Sequence, residues 1–183
     1  MLQTTGKNLD IGKKNTLIGK RSSDSVLVTL TERKTRFGMI FVIPSKESSY
    51  VKDLFMKLQR ILGDKFNRVF KSVTSDNRSE FSELGKVLNK LGSEGYYTHP
   101  YSAYERGTNE RMNGLIRRFL PKGKEISKIS KEAIKRVRDW YNTLPRRIFN
   151  YKSSIGKVFR GNEGNMRSKY IRGAFVGGIG GTI

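Results

Sequence analysis

Residues 26–62 read VLVTLTERKTRFGMIFVIPSKESSYVKDLFMKLQRIL. Val26 to Leu30 and Phe37 to Ile43 are rich in Val, Ile, Leu and Phe, and the charged run Glu32, Arg33, Lys34 divides them. Two β-prone segments around a polar break predict a hairpin. Pro44 closes the second strand, because proline has no N–H to give to a ladder. Val51, Leu54, Phe55, Leu58, Ile61 and Leu62 then recur at steps of three and four and stop near Gly63. That is the period of a helix with one apolar face. A hairpin running directly into such a helix is a sheet with a helix packed on it.

Toward the C-terminus, Phe70 to Thr74 (FKSVT) predicts a third strand that stops at Asp76, inside the turn-forming run Ser75, Asp76, Asn77. Phe81, Leu84, Leu88 and Leu91 predict a second helix, and EGYYTHPYS a short strand with an ordered loop. Met112, Leu115, Ile116 and Phe119 form one further helical stripe ending at Pro121, and Ile134, Val137, Trp140 and Tyr141 another, with the polar linker KGKEISKIS between them. Strands and helices in this order predict an α/β layer fold with a mixed central sheet flanked by helices. The segment before Asn15 shows no periodicity, and residues 160–183 hold seven of the 19 glycines. The expected organisation is an irregular segment 1–14, a core 15–159 and a flexible glycine-rich tail 160–183.

The chain has 183 residues, 37 Lys and Arg against 16 Asp and Glu, and a formal charge of +21. No plausible set of internal ion pairs offsets that excess, so much of it faces water or a polyanion. Arg106 to Lys152 carries 14 of the cations and only four acids. With no cysteine and one histidine, His99, disulfide frameworks and the common zinc sites are excluded. A bound metal would need oxygen ligands. His99 itself reads as a structural loop residue, or as one that orients a phosphate or a water. No run of about 18 apolar residues predicts a membrane span, and the first 15 residues contain no apolar core of signal-peptide length. The expected compartment is reducing and cytoplasmic.

Two acids stand out. Asp76 follows a β-segment directly, and open α/β sheets place ligands at such strand ends; the competing reading is a simple turn aspartate. Glu110 lies opposite the apolar stripe of its helix, near Arg106, Gly114 and Arg117 in projection. It reads either as a solvated acid paired with those arginines or as a carboxylate beside a metal, with Arg117 in reach of a phosphate. Gly114, one turn on, would let a nucleic-acid backbone approach closely. Lys122 and Lys124 after that helix, and Arg146 and Arg147 after Pro145, could hold phosphates.

Together, LVTLTERKTRF at 27–37, SDNRSEF at 75–81 and HPYSAYERGTNERMNGLIRRFLPKG at 99–123 resemble the bacterial insertion-sequence transposases of the IS-thirty family, over roughly Asn15 to Val158. The resemblance implies a ribonuclease-H-like fold of the retroviral integrase superfamily, with two aspartates and a glutamate that bind divalent metal. It implies a DDE-type enzyme that cleaves and joins DNA strands. The second aspartate falls on Asp76 and the glutamate on Glu110, with 33 residues between them. Two magnesium ions are the expected cofactor, with manganese as the alternative. The expected partner is DNA, both transposon ends and target, contacted by Arg106, Arg117, Arg118, Lys122, Lys124, Arg146 and Arg147; a homo-oligomer on DNA is compatible.

This sequence departs from the pattern at the first aspartate, whose place in GKKNTLIGK (12–20) is taken by Asn15. An amide brings a neutral oxygen where a carboxylate would offset metal charge. Lys13 and Lys14 beside it add repulsion and are expected to disturb the strand. Catalysis is therefore expected to be strongly reduced or absent, which leaves a DNA-binding remnant as the alternative reading. Asp10 could substitute for Asn15 only if the register slips. Arg78 stands where the family has a glycine, two residues after Asp76. The family's amino-terminal helix-turn-helix has no counterpart here, so loss of sequence-specific end recognition and a truncated or frameshifted copy are the expectations.

Overall fold

The computed structural model describes residues 10–18, 24–75, 83–97 and 103–160. Its elements are β1 (Asp10–Ile18), β2 (Val26–Glu32), β3 (Gly38–Ile43), α1 (Ser48–Leu62), α2 (Phe66–Val69), β4 (Ser72–Ser75), α3 (Leu84–Lys90), β5 (Glu94–Tyr97), α4 (Ala103–Ile116), α5 (Lys131–Thr143) and α6 (Ser154–Arg160). The strands form one mixed sheet in the order β3-β2-β1-β4-β5. β1 is antiparallel to β2 and parallel to β4, and β4 is parallel to β5.

The hairpin forms as its sequence predicts. Glu32 is buried and its carboxylate accepts the backbone N–H groups of Lys34 and Thr35, which ties the turn together. The two-residue side-chain period of β2 then divides the core. Val26, Val28 and Leu30, with Met39, Phe41 and Ile43 of β3, pack against Val51, Leu54, Phe55 and Leu58 of α1. Leu27 and Ile40 face the other way, onto Met112 and Ile116 of α4 and Ile134, Val137 and Tyr141 of α5. The sheet is thus covered on both faces.

α5 is fixed to β3 through a glycine. Gly38 N–H donates to Asn142 Oδ1 and Asn142 Nδ2 donates to Gly38 O, both at 2.8 Å. A Cβ at Gly38 would stand 2.5 Å from the Tyr141 ring and 2.7 Å from Met112 Cε. Only a residue without a side chain lets both helices approach this closely.

Three features differ from the sequence expectations. The sheet starts at Asp10, inside the segment 1–14 expected to be irregular. β1 is held by ladders on both sides rather than by an apolar period of its own, which is why no pattern reveals it. The ladders shift register between Gly12 and Asn15 on the β2 side and between Ile11 and Lys14 on the β4 side, around Lys13 and Lys14. Second, α4 ends at Ile116 rather than continuing to Pro121. Arg118 and Phe119 make tight turns back to Leu115 and Ile116, since the residue before a proline is disfavoured in helix. Phe119 leaves the buried stripe and meets Trp140 edge-on, with ring centroids 4.6 Å apart. Third, α6 begins at Ser154 and crosses residue 159. Most of the tail, 161–183, lies outside the described residues.

Candidate active site

The centre of the sheet brings together the elements that carry the sequence-predicted site. Asn15 of β1 pairs with Thr29 of β2. On the opposite side of β1, Lys14 pairs with Ser75, the last residue of β4. Asn15 therefore lies beside the strand end from which Asp76 follows. Asp76, Arg78 and His99 are outside the described residues. Asp10 pairs with Ser72, the first residue of β4, about 10 Å of strand away from Ser75 at the usual rise per residue. That register argues against Asp10 as the substitute for Asn15.

α4 is positioned over the same place by two buried contacts of side-chain hydroxyls on β2. Thr29 Oγ1 donates to Asn113 Oδ1 at 3.1 Å, and Thr31 Oγ1 lies 3.1 Å from Met112 Sδ. Met112 and Ile116 are fully buried beneath α4, while Glu110, Arg111 and Gly114 are exposed on it. Glu110 precedes Asn113 by three residues, about 4.5 Å along the helix axis. Through Thr29, the turn bearing Glu110 is linked to the strand position opposite Asn15. Asn113 Nδ2 is buried and has no hydrogen-bond partner among the described residues, a state that costs about 1–3 kcal/mol when nothing fills it. At Gly114 an added Cβ would meet nothing within 4 Å among the described residues, so none of their packing accounts for the glycine.

The predicted cations fall into three environments. Arg118, Lys122 and Lys124 are exposed around the turn after α4, where Gly123 has φ 89°, and Arg147 is exposed after α5. Arg117 is half-buried, with Nη1 3.5 Å from Leu120 O, and burial lowers its guanidinium pKa from the ordinary value. Arg146 is turned inward: Nε donates to Ser154 Oγ at 2.6 Å and the guanidinium lies 4.6 Å from the Tyr141 ring centroid. Arg106 is on α4, and its side chain lies outside the described residues.

Two contributors escape the sequence reading. Arg33, expected only as part of a charged turn, reaches across β1 so that Nη2 donates to Thr74 Oγ1 at 3.2 Å. A cation therefore sits two residues before Asp76. Asp24 is buried and accepts the backbone N–H groups of Ser25, at 2.8 Å, Ile126 and Ser127. Burial works against its charge, but hydrogen bonds from the Ser127 side chain and from these N–H groups prevail and hold its carboxyl below the ordinary value. This single acid ties the loop after Lys122 and Lys124 to the start of β2. An Asp in the short polar run SSDS is the only local signal, and it does not distinguish such a clamp from a solvated turn.

Over 136 residues the chain is 35% identical to the probable transposase for insertion-like sequence element IS1161 of Streptococcus salivarius, which covers 74% of this chain and 37% of the relative. It is 33% identical over 137 residues to the transposase for insertion sequence element IS4351 of Bacteroides fragilis, covering 75% of this chain and 40% of the relative. Transposase InsI for insertion sequence element IS30C of Escherichia coli K12 is 28% identical over 144 residues, covering 76% and 36%. Over about three quarters of its length the chain is thus similar to insertion-sequence transposases, those of IS30 elements among them. No protein-family model matches it. The chain spans about two fifths of the length of these curated relatives.

Its fold is shared with a solved structure, the cryo-electron-microscopy structure of the simian T-cell lymphotropic virus intasome in complex with PP2A regulatory subunit B56 gamma. The TM-score is 0.60 at 15% identity, covering 79% of this chain and 52% of the other. The ribonuclease-H-like architecture expected from the sequence is therefore present. No helix among the described residues is long and apolar enough to cross a membrane.

Proposed function

We propose that this chain is the catalytic domain of a DNA transposase, in which Asp76, Glu110 and the position of Asn15 form the reaction centre and the outward-facing cations between 106 and 147 hold DNA, Arg146 bracing its own loop instead. The observation that carries this reading is the Asn15–Thr29–Asn113 connection, which links the turn of Glu110 to the central strand beside the end of β4. The α4 and α5 region supplies exposed cations next to it, in Arg118, Lys122, Lys124 and Arg147. Duplex DNA carries a charge about every 1.7 Å of its axis, and such a surface attracts it.

Among the described residues no three acidic, His or Cys side chains cluster as metal ligands. With Asp76 added, the donor set is two carboxylates and an amide oxygen. Oxygen-only donors suit magnesium or manganese in kind, but the set is one negative charge short for a pair of ions. When bound, divalent ions supply activation of the attacking oxygen and neutralisation of the scissile phosphate. The chain's own part is to hold the phosphate in line through its cations, with Glu110 and Asp76 as charged ligands and no covalent protein intermediate.

The register irregularity at Lys13 and Lys14, next to the amide of Asn15, favours a second reading, a DNA-binding domain with the fold but without turnover. Magnesium titration with a nicking and strand-transfer assay separates the two. The enzyme reading expects metal-dependent product that Asn15→Asp increases and Glu110→Gln abolishes. Salt-dependent DNA affinity with no product from either the parent or Asn15→Asp would leave the binding reading.

A further inference from the structure

The segment after α5 forms a small loop braced from inside. Pro145 and Ser153 make an antiparallel bridge, Arg146 N–H donates to Lys152 O at 3.2 Å, and Arg146 O accepts from Phe149 at 2.9 Å and from Tyr151 at 3.0 Å. The Arg146 guanidinium is held by Ser154, whose Oγ donates to Arg36 O at 3.1 Å in the β2–β3 turn. Lys157 lies 5.3 Å from the Phe149 ring centroid. The backbone is thus tied to both α6 and the sheet.

What the loop presents outward is unusual for a braced surface turn. Ile148 is 66% exposed and Tyr151 71%. Asn150 and Tyr151 both have positive φ, at 51° and 62°, a region that a bulky side chain enters at a cost and that glycine enters freely. An exposed aromatic ring is therefore kept where glycine would relieve strain, a combination that points to an outside contact. The surroundings select its charge. Arg147 and Lys152 are exposed, and the sequence carries no acid from Trp140 to Asn162. Another copy of this chain would bring like charge against like charge.

We propose that the 145–153 loop is a DNA-docking wedge: Tyr151 and Ile148 pack against bases at a distorted or unpaired step, while Arg147 and Lys152 hold the flanking phosphates. Apolar and aromatic side chains inserted at base steps, with cations on the backbone beside them, are a general mode of binding deformable DNA. The inference rests on the DNA-acting reading above and adds a contact outside the Asp76–Glu110 region.

The test compares a fully paired duplex with one of equal length carrying a short unpaired bubble that contains 2-aminopurine. The parent chain should prefer the bubble and quench the probe. Tyr151→Gly should lose on the order of tenfold in bubble affinity and the quenching, while melting at the same or a higher temperature because glycine suits the positive φ. Tyr151→Phe should retain both signals. Absence of quenching by the parent chain overturns the wedge, as does unchanged bubble affinity in Tyr151→Gly and Ile148→Ser. Self-association of the parent that Tyr151→Gly abolishes, with DNA affinity intact, would make a second copy the occupant. Failure of the parent chain to bind either DNA sinks the DNA-acting reading itself, whereas binding that is indifferent to Tyr151 sinks only the wedge.

Discussion

Thr29 Oγ1 and Asn113 Oδ1, 3.1 Å apart and both buried, join the second strand to the helix that bears Glu110. Apart from the weaker contact of Thr31 Oγ1 with Met112 Sδ, the surroundings are apolar, with Leu27, Met112 and Ile116 in one cluster. Apolar packing holds a helix against a sheet without setting its rotation or its slide along its axis. A directional bond one turn from Glu110 sets both.

Thr29→Val keeps the shape of the side chain and removes its hydroxyl, leaving Asn113 Oδ1 buried and unpaired. Such a loss costs about 1–3 kcal/mol, read as a lower urea midpoint with an unchanged slope. Thr29→Val combined with Asn113→Leu should recover much of that stability, because two apolar partners leave nothing unsatisfied. The pair should nevertheless lose DNA cleavage wherever the parent shows it. Stability unchanged in the single variant would mean that the bond does not anchor α4.

The Asp24 clamp makes part of the stability depend on acid. Its folded-state pKa is lowered from 3.8, so its contribution is fully present above that value and is lost as pH falls through the lower folded value. Asp24→Asn replaces one acceptor with a donor that faces the N–H groups of Ile126 and Ser127, and should be less stable than the parent at pH 7. The gap between the two should shrink in denaturant titrations near pH 3. An equal gap at both pH values would show that ionisation of Asp24 is not what the clamp uses.

Much of this fold is legible in the sequence because its signals are local. Val26, Val28 and Leu30 alternate with Leu27 and Thr29 to face two different helices, and Val51, Leu54, Phe55 and Leu58 repeat at helical spacing; both patterns predict burial that the structure bears out. β1 is not legible from its own residues, since GKKNTLI is ordered by ladders on both sides, one of them to β4 far along the chain. The same holds for Asp24, whose role depends on N–H groups more than 100 residues on, and for Arg33, whose partner Thr74 lies two strands away. Glu110 stands out by helical projection alone. That its turn is tied to Asn15 through Thr29 follows only from strand register and a cross-element hydrogen bond.

Gly114 offers a test in which stability and binding move in opposite directions. In the body of a helix glycine is about 0.8–1 kcal/mol worse than alanine, and here an added Cβ would meet nothing within 4 Å among the described residues. Gly114→Ala should therefore raise the melting temperature. It should be close to neutral for DNA, since a methyl group takes little space, whereas Gly114→Glu adds length and negative charge one turn from Glu110 and should weaken DNA binding severalfold at low salt. The comparison with Lys131→Glu, an exposed change at the start of α5, controls for net charge, because that variant makes a larger charge change farther from Glu110. A greater loss in Gly114→Glu than in Lys131→Glu means that DNA passes close to this turn of α4, and equal or smaller loss means that the glycine is not kept for its approach.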